Sequence, residues 1–597
     1  MLNKAKTLDT KTKVGDMRTE SGVKDTHQLF FLETLFASYK GKRGKEKKQA
    51  ALDEAVHSLP EFITNPLLRI RGLDPNRGTP VEILHVVLLG FVKYLWRDLV
   101  QNQIGKNDDK RKLLETRLYS FDVSGLGISP LAGHTLVQYS GSLTGRDFRA
   151  IAQVTPFVAY DLVSKDCLET WLALSKLILL IWQPEIEDID AHCALLDTEI
   201  KNSLLCAGRW TIYWYNKPKF HIFLHLTEHV RHFGPAILFA TEAFESFNAI
   251  IRAKSVHSNR HAPSRDIAKA FAQGNRVRHL LSGGLFDIRR MLLQTEGSTP
   301  VQTSETSQAK DWKTAGTGAM SLVQTPNTAT SYLGLDNRAI IKQGLCLRDK
   351  QPARLFVHTA AGAIFESPAT HHTTLFQTAN EFHLQNGDRC TIGQFVIARQ
   401  GPEGFGATTP ARIEEILQVK GSEGAEMTGF PDFVLLRLAD ASAASTTYHM
   451  PHLKLTSQWR LVKFALTRAQ KTILCTVNTP HNCADHACGI GGSRPIYQER
   501  EMTNSTRSVV SHIDPYDVML NTAQMRDALH VQKFRMPAEI LDEQAVITAS
   551  VAREIDLRKA AKQAKQSEKT AQGKSRRVLQ PQRKVLVLVV HLEVKQR

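Results

Sequence analysis

No apolar segment in the 597-residue sequence is long enough to cross a bilayer. The longest run, "LALSKLILLIW" at 172–182, falls short of the about 20 residues that a spanning helix needs, and it carries Lys176. Residues 1–20 are polar and mixed in charge, which does not read as a secretory leader. Cysteine is scarce: the eight present are scattered apart from one tight group. That pattern excludes a disulfide framework and suits a reducing compartment with one metal site. No internal repeat is found. Acidic residues are outnumbered, since Lys plus Arg exceed Asp plus Glu by 76 − 59 = 17. A surplus of that size points to polyanionic partners, nucleic acid before a membrane surface.

What is present divides the chain by pattern. Residues 1–60 are polar and charged, with a basic cluster "KGKRGKEKK", and read as a largely unstructured lead or solvated helix. From 61 to 290 the pattern is helical. "TPVEILHVVLLGFVKYLWRDL" places Thr79 as N-cap, Pro80 at the first helical position and Glu82 at N3, a capping box. Further helices are expected near 145–160, 166–182, 185–206, 239–255 and 264–282, the last ended by Gly283-Gly284. Residues 291–350, rich in Ser, Thr and Gly, form a linker. Beyond it the period changes. An Asn386-Gly387 turn signal, then "ARIEEILQV" and "DFVLLRLAD" between Gly-rich loops, predict a small β-barrel or sandwich over 351–470. A Cys/His-containing region follows at 471–552. The tail, 553–597, is basic and Gln-rich, a solvated helix or disordered arm that ends in the apolar run "VLVLVVHLEV". The fold class is α+β.

Four groups of residues can carry chemistry. His221 and His225 are four apart, a spacing that on one helix serves a single metal ion or a hydrogen-bonded helix contact. Ile222 stands where the metalloprotease pattern needs Glu, so that pattern fails. Glu242 and Glu245 are three apart beside an apolar stripe of Phe244, Phe247 and Ile251. They read as cation ligands or as helix-capping and arginine-pairing groups, with Glu245 expected near His221, His225 or an arginine. Two-metal phosphoryl chemistry needs further oxygen ligands, holding two ions about 4 Å apart. Arg252, Lys254, Arg260, His261, Arg265, Arg276 and Arg278 form a cationic strip, either a phosphate-binding surface or a solvated helix face. "CTVNTPHNCADHACGI" gathers Cys475, His481, Cys483, His486 and Cys488, with His512 as a possible fourth ligand from the next segment. Tetrahedral zinc takes four such ligands, although the C-x2-C spacing is missing.

"TPVEILHVVLLGFVKY", "GSLTGRDFRAIAQVTPFVAYDLV", "RHFGPAILFATEAFESFNAIIRAKSVHSNRHAPSRDIAKAFA" and "RHLLSGG" resemble the C-terminal half of Plavaka-type transposases, from CACTA-related elements of mushroom-forming fungi. The resemblance runs from about residue 60 to 290 and continues more weakly through "VNTPHNCADHAC". It implies a nuclear enzyme lineage that cuts and joins DNA on a ribonuclease-H-like core. There an Asp-Asp-Glu set binds two Mg or Mn ions, and a helical insertion precedes the Glu. Glu245 in "AFESFN" matches the family's catalytic Glu, and Glu242 is the fallback. His85 in "EILH" resembles an acidic-x-x-His motif in which Glu82 replaces the usual Asp. Relatives carry a zinc finger and two aspartate-bearing strands ahead of this part. Here no strand-rich segment with a convincing Asp precedes it, and Asp74 sits in a turn, "LDPNRG". The expectation is therefore a truncated, transposon-derived protein that binds duplex DNA without cutting it, with a structural zinc and a possible homo-oligomeric state. The alternatives are an active transposase or nuclease, and a chromatin- or peptide-binding scaffold built on the β-barrel.

Overall fold

The computed structural model describes residues 1–281, 285–287, 312–314, 344–346, 352–366, 373–399, 407–420, 431–463, 472–496 and 507–567, except 23–24, 64, 75–76, 257, 259–260, 385, 486–487, 489 and 538. The chain divides into two units, Met1–Pro80 and Val81–Arg597. Most of the 291–350 linker and the run "VLVLVVHLEV" lie outside the described residues.

The first unit corrects the expectation of an unstructured lead. Its described residues form four α-helices, α1 (Leu2–Ala5), α2 (Lys11–Ser21), α3 (Thr26–Ser38) and α4 (Lys45–His57), and a 3-10 turn at Pro66–Arg69. Asp25 caps α3 by accepting the amide of His27 at 3.0 Å. Ala5, Val14, Leu32, Leu35, Tyr39 and Leu52 meet in one small core. The polar composition concealed it, because few apolar residues are needed when the helices bring them to one cluster.

In the second unit, all described elements from Val81 to Leu281 are helical. Helix α5 (84–103) contains two π-helical stretches, Leu84–Val92 and Leu99–Gln103. It is followed by α6 (Asp108–Ser120), α7 (Gly133–Gln138), α8 (Gly145–Ala159), α9 (Lys165–Ile181), α10 (Ile189–Trp210), α11 (Pro218–Phe223), α12 (Leu226–Phe233), α13 (Glu242–Val256) and α14 (Pro263–Leu281). Local chemistry sets several starts. Thr144 and Asp147 form a capping box on α8, Ser164 caps α9, and Asp188 caps α10. Trp96, Phe148 and Trp171 fill the core, and Trp96 donates its indole N–H to the Leu136 carbonyl at 2.9 Å.

The C-terminal half is a curled antiparallel sheet, a half-barrel, with two small sheets besides: a separate hairpin, and a three-stranded sheet of Gly344–Cys346, Glu381–His383 and Arg389–Thr391. Its strands are β1 (Arg354–Leu355), β2 (Leu375–Thr378), β3 (Glu381–His383), β4 (Arg389–Thr391), β5 (Phe395–Arg399), β6 (Thr408–Val419), β7 (Phe433–Asp440), β8 (His452–Lys463), β9 (Ile473–Thr476), β10 (Ile490–Ile496), β11 (Arg507–His512) and β12 (Val518–Met519). The sheet order is β9-β5-β6-β7-β8-β12, with β2 also on β6 and β1 on β2. Strands β10 and β11 pair only with each other among the described residues. The Asn-Gly signal is met by the turn joining β3 to β4, with Gly387 at φ +82°.

The expected division into a helical domain, a β domain and a tail region is also corrected. Phe395, Ile397, Leu474, Cys475, Val477 and Leu520 share one core cluster with Val154, Trp171 and Ile178. A buried amide network crosses the same seam. Asn478 donates to the carbonyls of Asp122 (2.7 Å) and Ser124 (2.9 Å). Asn521 donates to Asn478 Oδ1 and to the Gln153 carbonyl, and Gln153 Oε1 accepts the Met525 amide at 2.8 Å. Gly125, at φ +83°, lets the backbones touch: a Cβ there would lie 2.6 Å from the Val477 carbonyl carbon. Part of the tail is ordered as helix α15 (543–567), anchored by Arg553 on Asp166 (2.9 Å) and by Tyr213 donating to Glu554 (2.7 Å).

Candidate metal centre and acidic–histidine site

Two segments around the β10–β11 hairpin bring four side chains together. His481 and Cys483 lie in the loop after β9, Cys488 lies two residues before β10, and His512 ends β11 opposite Ile490. One ligand atom from each residue lies within 4.8 Å of all the others. His481 Nδ1 is 3.2 Å from Cys483 Sγ. His512 Nδ1 is 2.9 Å from Cys488 Sγ and 3.7 Å from Cys483 Sγ. A zinc tetrahedron with Zn–N of about 2.0–2.1 Å and Zn–S of about 2.3 Å has edges of roughly 3.3–3.8 Å, so small shifts of these side chains bring the set to the size such an ion needs. The Asp514 carbonyl lies 2.8 Å from His481 Nε2, which directs the proton there and leaves Nδ1 as the ligand nitrogen. Burial, with Cys488 beside it, pushes the Cys483 thiol up to about 12. Burial and the neighbouring His481 pull His512 down to about 4. At neutral pH His512 is thus a ready neutral ligand, and the Cys483 thiol keeps its proton until a metal displaces it. The cluster can hold a metal ion such as zinc. A pocket of about 610 Å³, bounded by His452, Lys454, Tyr516 and Asp517, opens onto His481 and Cys488.

Cys475 does not join this cluster. It is buried on β9 opposite Ile397, inside the core shared with the helices. His486 lies outside the described residues. Sequence spacing alone did not separate Cys475 from His512, because it says nothing of which way the strand faces.

The acidic candidates converge in part, with an unexpected partner. Glu245 Oε1 lies 2.9 Å from His85 Nε2, and Glu82 Oε2 lies 2.7 Å from His85 Nδ1. His85, not His221 or His225, is therefore the imidazole that faces Glu245. His221 and His225 are exposed on either side of the break between α11 and α12, yet their rings meet edge to face with centroids 5.2 Å apart. Of the neighbouring histidines, His229 is buried and accepts the Val81 amide at 2.9 Å through Nδ1. Glu242 is held by Arg149 at 2.6 Å.

Glu82 takes a role that replaces the expected Thr79 capping box. Its carbonyl accepts the Val86 amide, and its carboxylate accepts the amides of Leu84 and His85, each at 2.8 Å, so Glu82 itself caps α5. The same carboxylate accepts the amide of Thr241 at 2.8 Å, just before α13. Partial burial pushes Glu82 up, but the bonds from Thr241, the His85 ring and the Leu84 and His85 amides outweigh it and hold the carboxyl below its usual range. Glu82 and Glu245 face opposite nitrogens of one ring, so no single cation sits between them in this arrangement.

The cationic strip falls on two packed helices. Phe247 and Phe271 bring α13 against α14, their ring centroids 6.3 Å apart. Arg252 is exposed and Lys254 half-buried on α13, His261 is exposed in the connection, and Arg265, Lys269 and Arg276 are exposed on α14. Steps of four and seven residues put these last three within about 40° of one another around the helix. Arg260 lies outside the described residues, and Arg278 lies on α14 with its side chain outside them.

Residues 341–539 match the family model of a domain of unknown function, DUF8590. The match covers about a third of the chain and contains all four Cys/His ligands together with the half-barrel. No curated protein and no solved structure matches the chain.

Proposed function

We propose that this chain is a transposase-derived DNA-binding protein of the Plavaka type, acting on duplex DNA in the nucleus and not cutting it by itself. The observation that carries the reading is the single cationic face of α14, where Arg265, Lys269 and Arg276 are all exposed, beside Arg252 on α13. Such a face matches a phosphate backbone, and the overall surplus of positive charge favours the same partner. Glu245, the match to the family's catalytic Glu, stands in the first turn of α13, the helix that carries Arg252 and packs against α14. The all-helical stretch to Leu281 reads as the helical insertion of a ribonuclease-H-like core. Silence in cleavage is supported by the commitments of the other acids: Glu82 caps two helices and Glu242 is paired with Arg149. The Cys/His cluster is read as a structural zinc centre.

Titration of duplex DNA at two salt concentrations tests the reading. Four phosphate contacts give a log–log slope of about −3.6 and a loss in affinity of about 150-fold between 50 and 200 mM salt. Arg252→Gln, Arg265→Gln, Lys269→Gln and Arg276→Gln should each reduce the slope by about one. Affinity that ignores salt, or that survives all four changes, would overturn it. Duplex nicking with Mg²⁺ or Mn²⁺ that stops in Glu245→Gln would overturn the silent part. A second reading, a peptide-binding scaffold, draws on the 610 Å³ pocket where β12 leaves β8 and predicts weak, salt-insensitive DNA binding.

A further inference from the structure

We infer that the His481–Cys483–Cys488–His512 cluster is a closed zinc clasp, which fixes the β10–β11 hairpin to the sheet. The inference deepens the zinc reading above and rests on that part of it, not on DNA binding.

The hairpin is a two-stranded sheet of its own, and such a hairpin is marginal in water unless something else holds it. Its two feet are the positions that carry ligands: Cys488 enters β10, and His512 closes β11 in register with Ile490. The other two ligands come from a loop that is sewn to the main sheet. The Asn482 amide donates to the Asp517 carbonyl, the Met519 amide donates to the Pro480 carbonyl, and His481 bridges to Val518. On its far side the hairpin lies on α6, where the Val510 amide donates to Ser120 Oγ at 3.0 Å. An ion at the cluster thus joins the feet of the hairpin to the sheet, while α6 holds β11 by its own contact.

The donor set also fixes what kind of site this is. Two sulfurs and two nitrogens fill a zinc tetrahedron, leaving no position for water or substrate, the mark of a structural and not a catalytic centre. Both histidines bind through Nδ1. Asp514 occupies His481 Nε2, while His512 Nδ1 is the atom turned toward both sulfurs. The set is electrically balanced: Zn²⁺ plus two thiols gives a neutral bis-thiolate bis-imidazole complex and two released protons. The pocket that opens onto His481 and Cys488 gives the ion a route in.

The test uses the full chain purified without chelator. About one zinc per chain is expected by elemental analysis. Cobalt exchanged into the site should give the strong visible bands and sulfur-to-cobalt charge transfer of a tetrahedral two-sulfur, two-nitrogen centre. Removing the ion with a chelator should raise amide exchange in 490–496 and 507–512 by at least ten-fold and leave α8, α9 and α10 unchanged. Cys488→Ser and His512→Ala should each lose the zinc, and the chelator experiment on the parent chain stands whether or not these variants fold. Weak octahedral cobalt bands, a metal-free chain, or a mass two daltons low from a Cys483–Cys488 disulfide would overturn the inference. So would bound zinc whose removal leaves hairpin exchange unaltered. None of these readouts involves DNA, so failure of the clasp and failure of DNA binding are separately visible.

Discussion

Replacing Glu82 with Ala separates a structural carboxylate from a catalytic one. The side chain is 15% exposed and accepts three backbone amides and the His85 ring. Losing the cap on α5 costs about 1 kcal/mol, within a usual span of about 0.5–2. The Thr241 amide, partly buried and stripped of its acceptor, adds about 1–3 kcal/mol. The contact with the half-exposed His85 ring adds little, as solvent screens it. The sum, about 2–4 kcal/mol, is felt where the carboxylate joins two helix starts 159 positions apart. Opening of the first turn of α13 should become about 30–1,000 times more populated. The assay is hydrogen exchange at the amides of Thr241 and Glu245, the latter bonded to the Thr241 carbonyl at 2.9 Å. Glu82→Gln should lose about half as much, since its oxygen can still serve Leu84 and Thr241 while its new amide group opposes the His85 N–H. The folded carboxyl lies below its unfolded value, so its stabilisation is present above about pH 4.5 and is lost as pH falls through the folded value. Unchanged exchange at both amides in Glu82→Ala would refute the clamp.

Two further outcomes follow from buried polar groups. Burial and the neighbouring Asp388 push Asp527 up to about 7, so its contribution favours the fold at low pH and is lost as pH rises through about 7. Asp527→Asn should therefore melt higher than the parent at pH 8.5 and come close to it only near pH 3.8, the ordinary value of the carboxyl, with the gap opening as pH rises between the two values. Asn tolerates the left-handed backbone, φ +54°, found there. A variant that melts lower at pH 8.5 would refute this. Asn478→Ala strands the carbonyls of Asp122 and Ser124 and should cost about 2–6 kcal/mol, read as a lower urea midpoint at constant slope. A loss under about 1 kcal/mol would mean that the amide network does not brace the seam.

The sequence by itself determined the elements whose causes are local. Helical periodicity located α8, α9 and α14 to within a few residues, because the apolar spacing of a helix repeats within one or two turns. The cationic strip, though without Lys269, and the core of the Cys/His cluster were legible for the same reason: crowding of cationic residues along the chain, or spacing of two and five in a loop, is a local property. Tertiary structure decided the rest. Glu82 looked like the third residue of a capping box until packing brought Thr241 to it, and Glu245 met His85 instead of the histidines nearer in sequence. The fourth metal ligand is His512 and not Cys475, because β9 turns Cys475 into the core while β11 returns His512 to the loop. The helical and β-rich halves share one core although about seventy residues separate α14 from β1, and the polar N-terminal stretch closes a core of its own. Local rules reach only a turn or a hairpin along the chain. Which distant faces meet is settled by the burial of apolar surface and the satisfaction of buried amides, and those are properties of the packed molecule.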